Sequence, residues 1–106
     1  YLDSEYAFIG DKEWGLLIVD ISEASDPILI SSLSVTGYIL SIEKHESFLY
    51  LGTTAYDGLL VVNIEDLSAP YIISENRTEH DILTLKIAGE YLYAGFIRTI
   101  RLFHSF

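Results

Sequence analysis

At 106 residues the chain has room for one ordinary domain or a few small repeated units, and a second independent domain is not expected. Sixteen Asp and Glu against six Lys and Arg leave a formal charge of -10, which repels phosphate backbones and anionic bilayers, so nucleic acid is not an expected partner. Cysteine is absent, which excludes disulfides, thiolate metal sites and thiol nucleophiles. The longest apolar runs, such as Leu16 to Val19 and Leu59 to Val62, fall far short of the roughly 18 residues a spanning helix needs, so no membrane insertion is expected. Methionine is absent and a strand-like run starts soon after Tyr1, so the chain reads as a piece of a longer polypeptide. Its first residues lack the basic and apolar regions of a signal peptide.

In chain order the strand-like runs are Tyr6 to Gly10, Leu16 to Ile21, Ile28 to Leu33, Tyr38 to Ile42 and Phe48 to Gly52. Leu59 to Ile64, Tyr71 to Glu75, Asp81 to Ile87, Tyr91 to Phe96 and Thr99 to Phe103 follow. Each is short, rich in β-branched and aromatic residues, and bounded by Gly, Pro, Asp, Ser or Asn, the signature of a strand. No stretch of ten or more residues keeps a 3.6 period; one helical turn could form over Ile64 to Ser68. Asp57-Gly58 is a hairpin signal that should pair the runs on either side of it. Pro27 and Pro70 close polar turns and belong at strand starts or edges, so the strands they open should be outer edges, protected by Ser31, Ser32, Ser34, Glu75, Asn76 and Arg77.

These runs repeat. Gly15-Leu16-Leu17-Ile18-Val19-Asp20-Ile21 returns 43 residues later as Gly58-Leu59-Leu60-Val61-Val62-Asn63-Ile64, and residues 27 to 53 align with 70 to 96 at the same shift without a gap. Before Gly15 the shift is 42, with Tyr6-Ala7-Phe8-Ile9-Gly10 on Phe48-Leu49-Tyr50-Leu51-Gly52. Four antiparallel strands per period, apolar in the middle and polar at one edge, describe a β-propeller blade. The expected fold is therefore all-β: a partial β-propeller of about two and a half four-stranded antiparallel blades, with blade fragments near 1-35, 36-78 and 79-106. Three strands are read in the first fragment, four in the second and three in the third.

The patterns GLLIVDIS and GLLVVNIED, each followed by proline and preceded by Phe-Leu-Tyr-Leu or a related run, resemble the LVIVD repeat of mostly uncharacterised secreted or surface proteins of prokaryotes. The copy at Thr99 departs from it, lacking the opening glycine and the Val-Asp pair. The resemblance implies a propeller and an extracellular or cell-surface location; it implies no activity and carries over no functional residue.

Little in the chain points to chemistry. His45, His80 and His104 lack metal-ligand spacing, and the acidic stretches Asp3-Ser4-Glu5 and Asp11-Lys12-Glu13 lack the alternation of a calcium loop. There is no nucleophile elbow and no phosphate-binding glycine loop, so no catalytic, cofactor-binding or metal residue and no cofactor is assigned. Asp20, Asn63 and His104 end equivalent strands, where a short polar side chain commonly binds the following turn. The aromatic pairs Tyr6 and Phe8, Phe48 and Tyr50, Tyr91 and Tyr93 fall on one face each and are read as packing between blades rather than as a sugar-stacking platform. Trp14, Tyr38 and Tyr56 lie in or beside turns and are the candidate partner-binding aromatics. Asn76-Arg77-Thr78 is an N-glycosylation sequon on the expected outer edge.

An incomplete propeller leaves apolar faces open, so the expected partners are the remaining blades of a longer chain or further copies of this one. The expected function is a non-catalytic structural or protein-interaction module within a secreted or surface β-propeller. The alternatives are a subunit of a self-assembling ring or filament, and a part of a propeller enzyme or ligand-binding protein whose site lies outside this segment.

Overall fold

The computed structural model describes residues 1-54, 57-78, 80-96 and 100-104. They form three antiparallel sheets in chain order, with no helix among the described residues. The first sheet has the order β1 (Leu2–Asp3), β2 (Tyr6–Asp11), β3 (Gly15–Asp20) and β4 (Ile28–Leu33). The second runs β5 (Ile39–His45), β6 (Phe48–Thr53), β7 (Leu59–Asn63) and β8 (Tyr71–Asn76). The third comprises β9 (Thr84–Ala88), β10 (Tyr91–Gly95) and β11 (Ile100–His104), with β10 in the middle. Strand β1 adds to the three strands read for the first fragment. Two residues carry no alternation to detect, and β1 is tied to β2 by backbone bonds between Tyr1 and Phe8 in both directions, 2.9 and 2.8 Å.

The repeat extends to irregularities that no propensity announces. Strands β3 and β4 slip register between Ile18 and Val19, and β7 and β8 slip between Val61 and Val62, the same place 43 residues on. Ile30 and Ile73 are the extra residues that each bulge leaves without a cross-strand partner, and a bulge raises the local twist of an outer strand. Gly15 and Gly58 both take a positive φ, +82° and +70°, as their strands leave the preceding turn. A Cβ there would stand 2.3 Å from the carbonyl oxygen of Leu33 or of Asn76, so only glycine lets the outer strand close over the turn. The loop at Asp57-Gly58 joins β6 to β7 as expected, but Thr54 begins it, its carbonyl accepting from Asp57 N and Gly58 N at 3.1 and 3.2 Å. Over Ile64 to Ser68 a single bond, Ala69 N to Asp66 O at 3.0 Å, closes a turn that does not continue as helix.

The apolar core lies between sheets. Phe8, Leu16 and Ile18 from the first sheet meet Leu49, Leu51, Leu60 and Val62 from the second. On the other side of the second sheet, Tyr50 and Leu59 meet Leu85, Leu92 and Ala94 of the third. Alternation along β6 thus sends Leu49 and Leu51 one way and Phe48 and Tyr50 the other, which is what a sheet between two others requires.

Candidate functional site

The residues that join one sheet to the next are equivalent at both joints. Tyr6, Phe8, Leu16 and Ile18 on the trailing face of the first sheet correspond to Phe48, Tyr50, Leu59 and Val61 on that of the second. Ile42, Leu49 and Leu51 on the leading face of the second correspond to Leu85, Leu92 and Ala94 on that of the third. Of the aromatic pairs, Phe8 and Tyr50 are buried and Tyr6 and Phe48 half-buried in the joints, whereas Tyr91 and Tyr93 lie on the outward face of the third sheet, each 40 % exposed.

Four contacts at the joints escaped the sequence reading. Gly10 ends the core of β2, and a Cβ on it would come within 2.8 Å of Ile39 Cβ at the start of the next sheet. Gly52 repeats this against Ile82, at 2.6 Å from Cγ2. Both glycines are therefore places where neighbouring sheets approach too closely for any side chain. Ser31, read as protection for an outer edge, donates across the first joint to the Leu67 carbonyl at 2.6 Å, and Lys44 Nζ crosses the same joint to Asp3 Oδ2 at 3.2 Å. The recurrence of Gly10 as Gly52 and Ser31 as Ser74 was the available signal.

The strand-end positions behave as capping groups. Asp20 accepts from Ser22 N and Ser22 Oγ at 2.8 and 2.6 Å, and Asn63 accepts from Glu65 N at 2.9 Å. His104 holds the matching register place, paired with Tyr91 as Asp20 pairs with Tyr6 and Asn63 with Phe48. The Ser22 hydroxyl, and then its amide, hold the Asp20 carboxyl below the usual carboxylate range; Ser68 does the same for Asp66. In the turn after β2 the amides of Trp14 and Glu13 likewise lower Asp11.

That turn projects Trp14, 63 % exposed. It lies beside the connection into β5, because Gly15 packs against the backbone of Leu33 to Val35. The same connection carries Tyr38, 52 % exposed, with Lys12 Nζ 5.8 Å from its ring centroid. Tyr38 is fixed from behind: its carbonyl accepts from Thr54 N at 3.0 Å, and Gly37 N donates to the Asp57 carboxylate at 2.5 Å. Thr36, Gly37, Tyr38 and Thr54 line an open depression of about 330 Å³. Trp14 and Tyr38 are thus displayed on adjoining loops at one end of the first two sheets; Tyr56 lies outside the described residues. Asn76 ends β8 and is exposed, while Thr78 of its sequon is buried and donates its hydroxyl to the His80 carbonyl at 2.7 Å.

His45 ends β5 and His80 precedes β9, so the structure does not bring them together on one strand end. His45 Nε2 stands 3.6 Å from Glu46 Oε1. Among the described residues no group of three or more His, Asp or Glu is placed to hold a metal ion.

No curated protein matches the chain. Among solved structures it is similar to the computationally designed Ika4 protein, known from a crystal structure, with a TM-score of 0.76 and 12 % identity over 98 % of this chain. The chain spans 62 % of that protein's length, and at this identity the likeness is one of fold. Residues 2–35, which hold the first sheet, match the model of the LVIVD repeat, a repeat associated with β-propellers. The chain is accordingly an all-β repeat module of propeller type that carries an LVIVD repeat in its first sheet.

Proposed function

We propose that this chain is a non-catalytic structural and protein-interaction module, a segment of a secreted or surface β-propeller whose two outward sheet faces are completed by blades of the same kind. One observation carries the reading: residues that are buried at the internal joints recur, apolar, on the outward faces. Ile9 is 43 % exposed where its equivalent Leu51 is 0 %, and Tyr93 is 40 % exposed where Tyr50 is 2 %. Exposed apolar surface of this kind marks an interaction site. Trp14, Tyr38 and Tyr56 are the partner-binding aromatics of this reading, the first two exposed beside turns, and Asn76 is its glycan acceptor.

The reading is tested with two copies of the chain joined in tandem through a flexible glycine-serine linker, which gives the faces a millimolar effective concentration of like blades. Binding of a hydrophobic dye per chain should fall severalfold relative to the unaltered single chain diluted until light scattering reports a monomer. Dye binding equal in the two would show that these faces do not mate with blades of their own kind, and the reading would fail.

A further inference from the structure

We infer that a second copy of this chain closes the two outward faces head to tail, the trailing face of each third sheet docking on the leading face of its partner's first sheet. The inference rests on the proposed function and adds the identity of the occupant.

Both halves of the joint are present on every copy. The leading face of the first sheet offers exposed Ile9 and half-buried Leu17 and Val19, which stand where Leu51, Leu60 and Val62 stand in the buried leading face of the second. The trailing face of the third sheet offers Tyr91 and Tyr93 in the places of Phe48 and Tyr50. Ile100 pairs with Gly95 as Leu59 pairs with Gly52, and is 71 % exposed where Leu59 is 4 %. Docking them therefore repeats a joint the chain already makes twice. The polar detail changes consistently. At the first internal joint Asp3 meets Lys44; the equivalent positions at the new joint are Ala88 on the trailing face and Leu2 on the leading face, so that ion pair is replaced by an apolar pair. Leu2 is 73 % exposed in the single chain.

Ring size fixes the number of copies. Propellers close with about four to eight blades, so three sheets per chain close with two copies and overshoot with three. A head-to-tail contact that closes gives a discrete ring, whereas one that does not gives a filament. The charge of -10 on each copy opposes encounter, so association is favoured once salt near 0.15 M shortens the screening length to about 8 Å.

The test is light scattering on the chain at about 50 μM in that salt, with far-UV circular dichroism to confirm strand content. The expected mass is twice 12.0 kDa. Ile9→Glu and Tyr93→Glu, each at an exposed site, should each return the mass to 12.0 kDa, and an equimolar mixture of the two should recover a two-chain species through its one intact joint. Should either glutamate variant lose its strands, Ile9→Thr and Tyr93→Thr replace the pair. A wild-type mass of 12.0 kDa, a mass that climbs with concentration, or loss of the dimer in only one variant overturns the inference. A folded monomer whose tandem form hides its faces would overturn the second copy alone and leave the module reading standing.

Discussion

Gly52→Ala tests whether the joints between sheets hold this fold together. The new methyl carbon would lie 2.2 Å from Ser41 Oγ, 2.6 Å from Ile82 Cγ2 and 3.0 Å from Ile82 Cβ. Ser41 Oγ is itself engaged, donating to the Ile82 carbonyl at 3.3 Å, and Ile82 is fully buried and bound to the second sheet through its own amide, which donates to Thr53 O at 3.0 Å. Neither neighbour can retreat without moving the start of the third sheet. Forcing a methyl group into packing of this kind costs about 1–3 kcal/mol, and the engagement of both neighbours puts Gly52→Ala near the upper end. In a chain of this length a loss of ~2 kcal/mol lowers Tm by about 10 °C. Gly95→Ala is the control: it is the equivalent residue of the third sheet, where a Cβ meets only Thr84 Cγ2 closely, at 2.5 Å, with no neighbouring sheet behind it. Its cost should stay below about 1 kcal/mol, since one side chain can adjust. Urea unfolding followed by far-UV circular dichroism gives both values. A Gly52→Ala midpoint indistinguishable from wild type, or a Gly95→Ala loss as large as that of Gly52→Ala, would refute the close-approach reasoning.

Two further outcomes follow from the turns. Gly58→Ala adds a positive-φ strain of about 1–2 kcal/mol to a clash with the Asn76 carbonyl, whereas Gly89→Ala carries the strain alone, because its Cβ would meet nothing within 4 Å; thermal melts should rank Gly58→Ala well below Gly89→Ala. Glu46, at the place of Gly89 one repeat earlier, holds a φ of 53°, so Glu46→Gly should raise stability by about 0.5–1 kcal/mol, and a lowered Tm would contradict it. The folded-state pKa values of Asp11, Asp20 and Asp66 are lowered, so their bonds to Trp14, Ser22 and Ser68 stabilise the chain fully above the ordinary carboxylate range and are lost as pH falls through the lower folded values. Asp20→Asn keeps an acceptor, as Asn63 shows, and removes the proton; its acid-unfolding midpoint should lie lower than that of wild type, and an unchanged or higher midpoint would count against the assignment.

Much of the architecture was legible because the chain states it more than once. A strand that reads ambiguously in one copy is settled by its neighbour 43 residues away, and the polar strand ends Asp20 and Asn63 announced their capping role by recurring before a turn. The candidate partner loops were legible only as exposed aromatics beside turns. What fixes them in place, the Asp57 carboxylate on Gly37 N and the Asp11 carboxylate under Trp14, depends on the paths of connections that no spacing encodes.

The sequence alone determined every strand but β1, their order, the outer edges after Pro27 and Pro70, and the apolar pairs on each face, because alternation and turn chemistry are local properties that a repeat prints in duplicate. Tertiary structure decided which face meets which. Only the stacked sheets show that Leu49 looks back to the first sheet and Tyr50 forward to the third, that Gly10 and Gly52 are bare because another strand passes against them, and that Ser31 spans a joint instead of facing solvent. Those facts depend on contacts between residues some thirty to forty positions apart, and a strand's own residues do not record what is packed on top of them.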